Sequence, residues 1–145
     1  MRAVVQRVRS GSVSVEDREI AGIKQGMVIL LGIGPQDTEE IALSLVRKIT
    51  RMRIFSDDQG KINLSIKDTG GAAIVVSQFT LYADTRKGNR PSFTDAAPPE
   101  MARRLVDFFI SAMQAEEIST QSGEFGAHMV VQIENDGPVT IWLEA

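Results

Sequence analysis

Ser77-Gln78-Phe79-Thr80 closes an apolar run, Ala73-Ile74-Val75-Val76, and places two hydroxyls and an amide within four residues. A strand that ends in such groups, with backbone N–H exposed, can line a pocket at a sheet edge. N–H donors of that kind suit an oxyanion, because they act on charge that develops only in the transition state. Ser77 and Thr80 would serve equally as ordinary strand positions, and the local pattern leaves both readings open. Beyond them, Asp84-Thr85-Arg86-Lys87-Gly88-Asn89-Arg90 sets three cations around a glycine. This is the composition of a local phosphate grip, and also of a solvated charged loop. A third candidate is Gly137-Pro138 in Asn135-Asp136-Gly137-Pro138, between two alternating runs. It fits a hairpin turn. It also fits a rigid elbow that presents its carbonyls, since an X–Pro bond prefers trans over cis by only about 0.5–1 kcal/mol.

Other chemistries are narrowed by what the chain lacks. It has no cysteine, so disulfides, thiolate nucleophiles and Cys-ligated metals are excluded. One histidine, His128, cannot make a His-rich metal site, and no Asp/Glu cluster suggests another. His128 falls in an alternating stretch and reads as a packed or surface imidazole, so no Ser-His-Asp arrangement is evident. Gly32-Ile33-Gly34-Pro35 lacks the Lys-Ser/Thr of a P-loop and the third glycine of a dinucleotide site. Trp142 is expected to pack. The net charge of −3 gives no global field for nucleic acid, so any such partner would need a local basic patch.

The elements that must position these residues follow from periodicity. Val4, Gln6, Val8 and Val13, Val15 alternate, with a hairpin expected at Glu16-Asp17-Arg18-Glu19. Met27 to Ile33 is continuously apolar, as in a strand covered on both faces, yet far too short to span a bilayer. A helix is expected from Asp37, with Asp37 as cap, Glu40 completing a capping box, and Ile41, Leu45, Ile49 and Met52 facing inward. Strands are expected at Ile62 to Ile66, Ala73 to Leu81, Ala127 to Ile133 and Val139 to Leu143. Tyr82 to Pro98 reads as a long loop. Pro98-Pro99-Glu100 opens a second helix with Met101, Leu105, Phe108, Phe109 and Ala112 as its apolar face. The 145 residues, 43% hydrophobic and 24% charged, suit one globular domain over 1–145. The class is α+β: a mostly antiparallel, barrel-like sheet with two outer helices. No apolar leader opens the chain, so a cytoplasmic location is expected.

Ser77-Gln78-Phe79-Thr80-Leu81 and Asn135-Asp136-Gly137-Pro138-Val139-Thr140 together resemble the two signature motifs of the D-aminoacyl-tRNA deacylases. Met1-Arg2-Ala3-Val4-Val5-Gln6-Arg7-Val8 and the stretch from Tyr82 to Phe93 also look typical of that family, so the resemblance covers essentially the whole chain. It implies hydrolysis of the ester joining a D-amino acid, or mischarged glycine, to the terminal adenosine of tRNA. It further implies a cytoplasmic homodimer, with active sites at the subunit interface, that uses no metal or cofactor. Ser77, Gln78, Phe79 and Thr80 would line the catalytic pocket. Gly137-Pro138, in cis, would reach into the partner's site and reject L-amino acids, with Arg7 supporting it. Arg86, Lys87 and Arg90 would contact the acceptor end of the tRNA. The rival readings are a non-catalytic dimeric domain that binds RNA ends or nucleotides, and an esterase for small D-amino-acid esters.

Overall fold

Glu16 and Asp17 both adopt left-handed backbone, with φ of 49° and 60°. They form the two-residue turn that folds β1 (Arg2–Val15) back onto β2 (Arg18–Ile23). The computed structural model describes residues 1–145. In chain order β3 (Gly26–Gly32), α1 (Glu39–Arg51), β4 (Phe55–Ser56), β5 (Ile62–Leu64), α2 (Ile66–Thr69) and β6 (Ala72–Ser77) follow. A 3-10 turn at Phe79–Tyr82, a long loop, α3 (Pro99–Ala115), β7 (Thr120–Ser122) and β8 (Val130–Glu144) complete it. No helix is long and apolar enough to cross a membrane.

β1 is the hub of the main sheet. Its first half lies between β3 and β8, its second half between β2 and β8, all antiparallel. β3–β6 and β6–β7 are parallel, so the main sheet is mixed, with three antiparallel ladders and two parallel ones. The reason is the helical crossovers, which return the chain to the same end of the sheet each time. The barrel is nearly closed by a side chain. The Gln121 amide accepts from the Gly22 N–H and donates to the Gly22 carbonyl, both at 2.8 Å, joining β7 to β2.

The continuously apolar β3 is covered on both faces, as expected. Met27, Ile29 and Leu31 pack with Leu45, Ile49 and Phe109 of the helices, while Val28 packs with Val8, Val13 and Ile74 inside the barrel.

Several expectations are corrected. The N-cap of α1 is Thr38, whose hydroxyl accepts from the Ile41 N–H, not Asp37. Asp37 is buried and already engaged, accepting from the Gly34 N–H at 2.6 Å and from the Met1 amino group. The Ile62–Ile66 strand stops at Leu64, because Ser65 and Asp68 form a reciprocal capping box that starts α2. The strand expected to run through Leu81 stops at Ser77. The two terminal strands are one: Asn135 lies opposite Val8 and Thr140 opposite Gln6, so Gly137-Pro138 is a bulge in β8 and not a hairpin turn. Both alternating halves bond to the same neighbour, and β1 is long enough to hold them in line. β7 was not foreseen, being only three residues long.

Candidate active site

Where β6 ends, the Gln78 N–H still bonds to the Leu31 carbonyl at 2.8 Å, and the chain then winds into the turn Phe79–Tyr82. No side chain caps that turn: the Gln78 amide donates instead to the Thr80 hydroxyl. The first N–H groups of a helical turn have no partner within it, so those of Phe79 and Thr80 are left for another acceptor. Bare backbone seats the turn. A Cβ on Gly32 would lie 3.0 Å from the Gln78 carbonyl, and one on Gly34 only 2.6 Å from the Tyr82 hydroxyl. The pair dismissed as a phosphate fingerprint therefore lets the turn lie against β3.

A mostly apolar cavity of about 750 Å³ opens beside the ends of the parallel strands β3 and β6. Ser77, Gln78 and Phe79 form one wall; Phe93, Phe125 and His128 lie around the rest. Phe79 is 57% exposed and meets Phe93 edge-on, with ring centroids 5.0 Å apart; this aromatic pair and the Ala97 N–H bond to the Ile33 carbonyl at 2.9 Å tie the long loop to the cavity. Thr80 does not line it. Its side chain is exposed, and Gln78 is its one hydrogen-bond partner. His128, read as a packed or surface residue, is exposed on the cavity wall. Its position depends on how the segment after β7 returns across the sheet, for which alternation gives no signal.

Within the basic loop the three cations are not equivalent. Arg86 forks onto Asp84, with bonds of 2.8 and 2.9 Å, and this holds the Asp84 carboxyl down at about 2. Lys87 and Arg90 are exposed and form no ion pair. Paired backbone bonds between Asp84 and Ser92, at 2.8 and 2.9 Å, close the base of the loop.

The Gly137–Pro138 bond is cis, and both residues are exposed. Their support is buried. Arg7 donates through Nη1 to the Ile54 carbonyl at 2.6 Å and through Nε to the Asp136 carbonyl at 3.2 Å, with the Asp136 carboxylate at 3.1 Å. Asn135 spans the bulge by donating to the carbonyls of Arg7 and Val139. Neither Gly137 nor Pro138 lines the cavity of its own chain, so a single chain does not bring the two motifs together. Trp142, expected to pack, is half-exposed on the outer face of β8.

The family model described as D-Tyr-tRNA(Tyr) deacylase matches residues 4–144. A D-aminoacyl-tRNA deacylase of Roseiflexus castenholzii is 55% identical over 145 residues, covering 100% of this chain and 92% of the relative. One from Thermosipho melanesiensis is 51% identical over 146 residues, covering 100% and 97%. Among solved structures, a c-Myc DNA unwinding element binding protein superposes with TM-score 0.94 at 42% identity, covering 100% of this chain and 99% of its own. A probable eukaryotic D-amino acid tRNA deacylase, 17% identical with TM-score 0.84 and coverage of 98% and 97%, shares the fold. With its two motifs in place and a family model matched over nearly its full length, the chain belongs to the D-Tyr-tRNA(Tyr) deacylase family.

Proposed function

We propose that this chain hydrolyses the ester between a D-amino acid, or mischarged glycine, and the terminal adenosine of tRNA. The observation that carries the reading is the cavity walled by Ser77, Gln78 and Phe79 beside a turn whose leading N–H groups are uncapped. An aminoacyl ester is already activated, so orientation and oxyanion stabilisation supply most of what its hydrolysis needs. The N–H groups of Phe79 and Thr80 bind the developing oxyanion, and water attacks, positioned in part by the terminal 2′-hydroxyl of the tRNA. No residue need act as a covalent nucleophile.

Chirality is set by exclusion. D- and L-residues carry the same groups, so an obstacle on one face discriminates where attraction does not. The Gly137-Pro138 bulge, braced by Arg7 and Asn135, is that obstacle. Since it does not line its own chain's cavity, a second copy delivers it, and the working unit is a homodimer. Lys87 and Arg90 hold phosphates of the acceptor end, with Arg86 shaping the loop through Asp84. The same reading places the enzyme in the cytoplasm.

The test is release of free amino acid from D-Tyr-tRNA, L-Tyr-tRNA and a D-Tyr ester. Hydrolysis of the first alone supports the proposal. Equal cleavage of the two tRNAs overturns the gate, and cleavage of the simple ester alone overturns tRNA as substrate. A second reading, binding of nucleic-acid ends without chemistry, draws on the name of the 42% identical neighbour. Saturable tRNA binding with no release would establish it.

A further inference from the structure

The cavity and the bulge are absorbed by the proposed reaction, but Arg2 is not. It opens β1, opposite Gly32 of β3 and Glu144 of β8, and it touches the turn that carries Phe79 and Thr80. Its Nη1 donates to the Leu81 carbonyl at 2.9 Å. Its guanidinium lies 4.3 Å from the centroid of the Tyr82 ring, and 5.9 Å from that of Trp142. Its Nε is anchored by Glu144 at 2.7 Å. Tyr82 is thus held on one side by Arg2 and on the other by Gly32 and Gly34, where a Cβ would approach its ring or hydroxyl to 3.3 Å or less.

We infer that Arg2 is a positioning residue: it clamps Leu81 and Tyr82 against β3 and so fixes the turn that carries the N–H donors of Phe79, on the cavity wall, and of Thr80, next to it in the chain. A charged donor on a carbonyl together with a cation over an aromatic face resists both sliding and lifting of the turn. No side-chain cap reinforces this four-residue turn. Two of those residues bear the donors, and the other two bear the clamp. Donors act on an oxyanion only over a narrow range of distance, so a turn free to move loses transition-state stabilisation while the cavity remains available to substrate.

The inference rests on the deacylase reading, and the experiment separates the two. Wild type, R2M and R2K are compared as the full chain in single-turnover hydrolysis of D-Tyr-tRNA. The same three are titrated calorimetrically with an amide-linked D-tyrosyl adenosine, which cannot be hydrolysed. R2M is expected to turn over at least about tenfold more slowly than wild type. Its Kd and binding stoichiometry for the amide are expected to stay within twofold of wild type (roughly the limit for a site whose binding walls are intact). R2K, which keeps a donor and a charge above Tyr82, is expected to recover most of the rate. R2M at the wild-type rate overturns the inference alone. So does a rate loss matched by lost stoichiometry, which marks a general folding role; R2K, the milder change, is read in the same way if R2M does not fold. An inactive wild type that still binds the amide overturns the deacylase reading and this inference with it.

Discussion

Tyr82 is the single tyrosine of the chain, so its titration is read without interference. Burial first, and then the Asp37 carboxylate, push its phenol up to about 12, while Arg2 acts in the opposite sense. The neutral phenol is the favoured form in the fold. Its contribution to stability is therefore fully present below the unfolded value near 10 and is lost as the pH rises through about 12. Ultraviolet difference titration should show one midpoint near 12 in the native protein, and a higher one in R2M, from which the opposing charge is gone. Thr80 yields the other prediction at this scale. Its hydroxyl meets only the Gln78 amide, and its exposed side chain lies off the cavity wall. Thr80→Ala should keep its single-turnover rate within about fivefold of wild type, whereas losing a covalent nucleophile costs orders of magnitude more. Residue types were legible in the sequence; their partners were not. Asp37 and Thr38 are both good caps by type, and only the fold shows that Asp37 is committed to Gly34 and the amino group.

Among the elements, alternation announced the strands well and their ends poorly. Period two runs on both sides of Asn135-Asp136-Gly137-Pro138, and nothing local says whether such runs fold onto each other or lie end to end. The long β1 decides, by pairing with both. The bulge that results is a place where a side chain has little room. Gly137 has φ +121°, and a Cβ there would meet Val139 Cγ2 at 2.9 Å and Arg7 Nη2 at 3.0 Å. Gly137→Ala should lower stability by about 1–3 kcal/mol in denaturant unfolding, through an unfavourable backbone and a displaced Arg7. If the bulge sets chirality, the ratio of D- to L-Tyr-tRNA hydrolysis should fall in the same variant. The turn Phe79–Tyr82 was hidden for a different reason. Phe, Thr, Leu and Tyr are all acceptable in strands, and only the approach of the chain to Gly32 and Gly34 shows that it leaves the sheet.

Over the whole molecule, the α+β class and the barrel-like sheet were readable from the order of patterned segments. The parallel ladders were not, because strand direction depends on crossovers whose route is a long-range property. Charge behaves likewise. A net −3 conceals a loop whose free cations are Lys87 and Arg90, with Arg86 committed to Asp84. If both free cations meet single-stranded phosphates, their joint replacement by alanine should reduce the slope of log affinity for tRNA against log salt by about 1.4, roughly 0.7 for each contact. An unchanged slope would take the loop off the RNA path. The sole tryptophan and the sole tyrosine both neighbour the guanidinium of Arg2. The molecule therefore carries its own optical gauge: indole emission, excited directly or by transfer from the phenol, reports on the Phe79–Tyr82 turn with no dye attached.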